Sequence, residues 1–241
     1  MKNLNFLFIS CLLFTITSCT TTLYIPNGSN VPLLRENKEL KVTVSSGNNL
    51  QAAYAVTDHV GLMANGFWTL STGDDNEIPG NRKGKGSLVE LGAGYFSRFS
   101  NMVLETYVGG GIGKLDYNDT ENGKSYSSGG SRVFIQPNLG WTSKYIDVAV
   151  SGRLSGVKYN NFLAEGYTPA ELDQEFLRKA NVEDKLWVFF EPAITLRGGY
   201  KYVKAQFQYG LSSKLTTGDL KFADTYSSIG LVFDIGNWYH N

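Results

Sequence analysis

The sequence holds two cysteines, two histidines, three methionines and six prolines in 241 residues. Two cysteines cannot build a disulfide framework or a CxxC…CxxC metal site. Two histidines leave little for imidazole acid–base chemistry or for metal ligation. Charge of either sign is not in excess: 22 basic residues face 22 acidic ones, which gives no electrostatic case for nucleic acid. Long apolar runs are missing as well. The longest, residues 6–16 (FLFISCLLFTI), is well short of the roughly 20 residues of a spanning helix.

What the chain does have is glycine and aromatics, 27 Gly, 14 Tyr and 14 Phe, a mixture that suits strands and turns. Mean hydropathy is −0.19, compatible with strands that are apolar on one face only. At the amino terminus, Lys2 followed by the short apolar run reads as a signal peptide. Thr17, Ser18 and Cys19 close it, and no A-x-A-like cleavage site lies nearby. An ordinary secretory signal that happens to contain a cysteine is the alternative, which the missing A-x-A-like site disfavours. The small residues before Cys19 resemble the lipobox of bacterial lipoproteins, which implies cleavage before Cys19 and a covalent lipid on it. Cys11 would leave with the signal, so acylation also accounts for the single remaining cysteine.

The expected organisation is a signal over residues 1–18, a tether or strap lying against the domain over 19–38, and one β domain over 39–241. The strap (TTTLYIPNGSNVPLLREN to residue 37) has two prolines and no periodicity. Beyond it, alternation predicts ten strands, at residues 41–46, 50–57, 60–70, 88–98, 102–115, 132–141, 146–159, 186–198, 202–215 and 226–238. In residues 88–96, Val89, Leu91, Ala93 and Tyr95 alternate with Glu90, Gly92 and Gly94. Val133, Ile135, Pro137, Leu139 and Trp141 oppose Arg132, Gln136 and Asn138. Val203, Ala205, Phe207, Tyr209 and Leu211 oppose Lys204, Gln206 and Gln208. The prediction is an all-β protein, an antiparallel up-and-down β-barrel of about ten strands (8–10). Pro137 and Pro192 each remove a ladder donor, so bulges are expected there.

Joins at Asp58-His59, Phe99-Ser100, Ser143-Lys144 and Tyr200-Lys201 are tight, whereas residues 71–87, 116–131, 160–185 and 216–225 read as long loops. Short turns at one end and long loops at the other suit an outer-membrane barrel with its polar face inward. That face would collect a lumen network of Glu90, Glu105, Arg132, Asp147, Arg153, Glu191, Arg197, Lys204 and Asp234, with acids and bases near balance. Thr168-Pro169-Ala170-Glu171 is a capping box that opens one short helix, to about residue 180, in the longest loop.

Alternating strands, the pairs Gly94-Tyr95 and Gly140-Trp141, and the closing SSIGLVFDIGNWYHN together resemble the small outer-membrane β-barrel families of Gram-negative bacteria, with the lipobox-bearing barrel proteins of the Bacteroidota nearest in pattern. The resemblance spans residues 39–238 plus the lipobox and implies an outer-membrane location. Outer-membrane lipid is then the first partner, and another envelope protein could dock on loops 71–87, 116–131 and 160–185. With ten strands both chain ends would fall at the short-turn, periplasmic end, and no acidic run follows Cys19, so the anchor is expected on the periplasmic side. The role expected is structural, adhesive or accessory. The alternatives are a soluble periplasmic lipoprotein barrel binding a small apolar ligand, and a narrow pore.

Catalysis is not expected. His59 sits in a turn and His240 in the tail, away from any nucleophile that would need an imidazole. Gly109–Gly113 lacks the Lys-Ser/Thr of a phosphate loop. The carboxylates at residues 74–77 and 116–119 lack calcium-hand spacing, so no metal or cofactor beyond the covalent lipid is expected.

Overall fold

A computed structural model describes residues 22–68 and 82–236. The expected signal segment, Cys19, residues 71–81 of the first expected long loop, Trp238 and His240 lie outside the described residues. The strands are β1 (Leu40–Ser45), β2 (Asn49–Ala55), β3 (Val60–Trp68), β4 (Arg82–Phe99), β5 (Met102–Asp119), β6 (Lys124–Thr142), β7 (Ile146–Glu165), β8 (Trp187–Tyr200), β9 (Val203–Leu211), the two-residue β10 (Ser213–Lys214) and β11 (Thr225–Ile235). Each full strand pairs antiparallel with its neighbours; β11 bridges β1 to β9, and β9 pairs back onto β8. The sheet therefore closes as a ten-stranded barrel, β10 being a short pairing with β8 just beyond β9.

The four turns expected to be tight, at 56–59, 100–101, 143–145 and 201–202, gather at one end. Ser100 and Lys201 take positive φ (57° and 48°) to make two of them. At the opposite end the three-residue β1–β2 turn, closed by the Ser45–Asn49 pair, places Gly47 and Asn48 at φ 75° and 53°. Three sequence expectations are corrected. Residues 116–131 are not a long loop: β5 and β6 continue past the barrel wall to a tight turn at 120–123. Above the wall only inward side chains such as Tyr126 and Ser128 are buried and the outward positions are polar, so the Ser- and Gly-rich stretch 124–131 has no apolar alternation to reveal it. Pro137 and Pro192 are accommodated without bulges. Pro192 lies opposite Gly152 of β7 and Pro137 opposite Thr106 of β5, and the β7–β8 and β5–β6 registers run straight through them. The register shift in β6 falls instead between Ser127 and Gly129.

The expected helix is present in two pieces, α1 (Pro169–Gln174) and α2 (Lys179–Glu183). Thr168 and Glu171 form the reciprocal capping box, and Phe176 at φ 56° breaks the chain between the two. Leu177 and Val182 pack with Leu23, Tyr24, Trp187 and Phe189, and the Trp187 indole donates to the Val182 carbonyl at 3.1 Å. These helices cap the long-loop end of their own barrel. Lys124 and the Thr168 cap hold the Glu171 carboxyl down at about 2 and tie α1 to the β5–β6 hairpin.

Candidate functional site: the occupied lumen and the outer belt

The strap does not lie against the barrel. It runs through it. Leu23 and Tyr24 sit at the long-loop end, where the Leu23 amide donates to the Lys221 carbonyl and Tyr24 bridges to Phe222. Arg35 and Asn37 sit at the short-turn end, donating to the Ser100 carbonyl and the Asp58 carboxylate. Leu33 and Leu34 are fully buried between them. The expectation that both chain ends leave at the short-turn end is therefore corrected: the carboxy-terminal strand ends there, but the described amino-terminal end leaves at the other. No periodicity marks the strap because its residues face different walls in turn.

The barrel wall reads the strap mainly through its backbone. Gln51, Gln208, Gln136, Arg197 and Lys41 donate to the carbonyls of Gly28, Ser29, Asn30, Val31 and Leu33. Glu105 accepts from the Leu34 amide at 2.7 Å. Two glycines on the inward face make room for the leucines: a Cβ at Gly61 would stand 2.7 Å from Leu34, and one at Gly140 2.6 Å from Leu33. Around them Ala53, Met63, Phe96, Tyr107, Phe134, Val103 and Ala149 supply small apolar patches within an otherwise polar lumen.

All nine residues expected in the lumen network are buried inward. Near the long-loop end Arg132 meets Glu90 at 3.5 Å and Glu191 at 2.5 Å, and Arg153 approaches Glu90 at 3.9 Å. Tyr24 of the strap donates to Glu191 at 2.6 Å, and the Arg132 guanidinium lies over its ring. Near the short-turn end Asp147 takes Lys204 at 2.7 Å and Arg197 at 3.9 Å, while Lys41 bridges Glu39 and Asp234 at 3.2 and 3.1 Å. Glu105 stands apart from the cations, bonded to the strap, Asn138 and Tyr107. Each charge group is close to neutral within itself, as burial demands. Sequence reasoning missed Lys41, Gln51, the strap's own Tyr24, and Glu39 just after it. Lys41 and Gln51 were legible, since Lys41-Thr43 and Asn49-Gln51-Ala53 alternate with Val42, Leu50 and Tyr54.

Outside, the pattern inverts. Phe99 to Val89 on β4, Met102 to Ile112 on β5, Trp141 to Val133 on β6 and Ile146 to Gly156 on β7 point outward every second residue, Ile112 being 72 % exposed. The polar residues that end this apolar belt are Ser87, Lys114, Ser131 and Lys158. Ser87 pairs with Lys114 and Ser131 with Lys158, and Ser131 pairs with Ile112, so the upper edge steps by at most two residues between strands. At the lower edge Tyr54, Tyr95, Phe99, Trp141, Tyr145, Tyr200 and Tyr202 are all exposed, forming an aromatic girdle.

His59 occupies the β2–β3 turn, stacked on Tyr95 with its Nδ1 3.2 Å from the Phe96 carbonyl oxygen. Comparison with protein-family models and with curated proteins gives no match, so the functional reading rests on this geometry.

Proposed function

We propose that the chain is a lipid-anchored outer-membrane β-barrel, closed by its own amino-terminal strap and serving a structural or accessory role in the cell envelope rather than transport or catalysis. The observation that carries this reading is the inverted barrel: an exposed apolar belt around a buried, charged interior. The belt covers 9 to 11 residues on each of β4 to β7, the length of a tilted spanning strand, about 9–11 residues. Its aromatic lower edge suits the level of lipid headgroups. In water such a surface would be an association site far larger than soluble monomers expose.

The occupied lumen argues against the pore reading, because Leu33, Leu34 and the two ion-pair groups fill the path a solute would take. It argues equally against a soluble barrel with an apolar ligand inside, since the inward wall is largely polar and already engaged. The lumen acids and bases bind one another and the strap, which leaves them unsuited to acid–base work on a substrate. The capped long-loop end, carrying α1 and α2, is the surface through which another envelope protein would be met.

Fractionation of a Cys19→Ala variant tests the reading. Without its lipid the protein should still resist carbonate washing and require detergent. Release of folded protein with the periplasmic contents would overturn it.

A further inference from the structure

We propose that the chain is threaded across the membrane through its own barrel, so that the anchor-bearing amino terminus shares a face with the long loops, while the last strand ends on the opposite face. The inference rests on the membrane-spanning, acylated reading above and changes where the anchor must be. Long loops outward, as in the proposed orientation, put the lipid of Cys19 at the cell-surface side rather than the periplasmic side.

The argument is one of reach. Tyr24 is held at the long-loop end by Phe222, Glu191 and the cap, and Leu23 by Lys221 and the Tyr159 hydroxyl. Three residue steps separate Thr22 from Cys19, at most about 11 Å of extended chain. The belt of such a barrel is about 25 Å tall. A lipid on Cys19 therefore cannot return to the short-turn side around the rim, and the lumen is filled by the strap itself. Thirteen residues beyond Tyr24, Asn37 lies at the short-turn end beside Asp58. One continuous, extended segment thus connects the two mouths.

The wall is built for this passenger. Five side chains from five strands bond the strap carbonyls of residues 28–31 and 33, and the wall glycines Gly61 and Gly140 stand where the strap leucines press. Strap and β1 form a hairpin through the reversal at residues 36–39, with one arm in the lumen and the other in the wall. An acylated end is too bulky to be drawn through a packed lumen, so the wall must close around a strap already in place.

The test uses the full chain in cells, with three single substitutions, Ile25→Cys, Asn37→Cys and Asn122→Cys, and a membrane-impermeant maleimide. Ile25 and Asn37 are exposed at the two ends of the strap, and Asn122 at the tip of the β5–β6 hairpin. Threading predicts that Ile25→Cys and Asn122→Cys label in intact cells, and that Asn37→Cys labels only after the outer membrane is opened. Ile25→Cys tracking Asn37→Cys, with Asn122→Cys on the other side, would overturn threading while leaving the membrane reading intact. All three labelling together would instead overturn the membrane reading. A Leu33→Cys/Gly140→Cys pair separates the two further. Its oxidation should cross-link strap to wall in any environment, and failure to do so in folded protein counts against a threaded lumen.

Discussion

Replacing Gln136 by leucine probes the lumen with little change in volume. Gln136 is fully buried on β6. Its amide nitrogen donates to the Asn30 carbonyl of the strap at 2.6 Å and to the Asn138 side-chain oxygen at 2.9 Å, and its oxygen accepts from Arg153 Nε at 2.8 Å. Leucine satisfies none of the three. A buried polar group left without its partner costs about 1–3 kcal/mol, so even the low end for each gives about 3 kcal/mol. Were this face turned to solvent, the same change would stay within about 0.5 kcal/mol. Urea unfolding of the full chain in detergent micelles, followed by tryptophan fluorescence, measures the difference, with Phe207→Leu on the outer face as the volume control. Hydrogen exchange at strap residues 28–34 should also accelerate, because Asn30 loses a wall contact. A loss below about 0.5 kcal/mol with unchanged strap exchange would refute the inward assignment.

Three further outcomes are expected. Gly140→Val should crowd Leu33 and cost about 1–3 kcal/mol by overpacking, and Leu33→Ala in the same chain should recover part of the loss, which thermal shifts of the single and double variants will read. Leu91→Arg, in the middle of the outer belt, should cost about 2–4 kcal/mol for folding into vesicles, whereas Lys114→Arg at the belt edge should be close to neutral. Lys124→Ala removes the half-exposed contact to Glu171 and should leave the thermal midpoint nearly unchanged, because exposed ion pairs contribute little. Because the Glu171 carboxyl is held down at about 2, that contact's contribution is present above the ordinary carboxylate range and disappears as pH falls towards 2, which an NMR titration of the Glu171 carboxyl would follow.

Strand number, order and facing were legible because a wall one residue thick, polar inside and apolar outside, writes its geometry as strict alternation. Val89 to Tyr95 against Glu90 and Val203 to Leu211 against Lys204 carry that signal directly, and the nine inward charges follow from it. The strap was not legible. Its residues meet a different wall at each step, so Asn30, Leu33 and Leu34 show neither period, and its partners bond its backbone, which has no sequence. The inward glycines at positions 61 and 140 were the available trace, since a wall gap on the polar face implies something pressing into it. The upper halves of β5 and β6 escaped for another reason: their outward positions are polar and only Tyr117 and Tyr126 add apolar contacts inward, so Asp116 to Asp119 and Lys124 to Ser131 carry loop-like composition on strand geometry.

The central claim is that the outer belt touches lipid, and collisional quenching reads it directly. Trp141 lies on that belt, while Trp187 is fully buried under the cap. Single-tryptophan versions of the full chain, folded into vesicles of brominated lipid, should show strong quenching of Trp141 and little of Trp187. A folded chain that stays in solution beside the vesicles, or a Trp141 signal no more quenched than that of Trp187, would contradict the account.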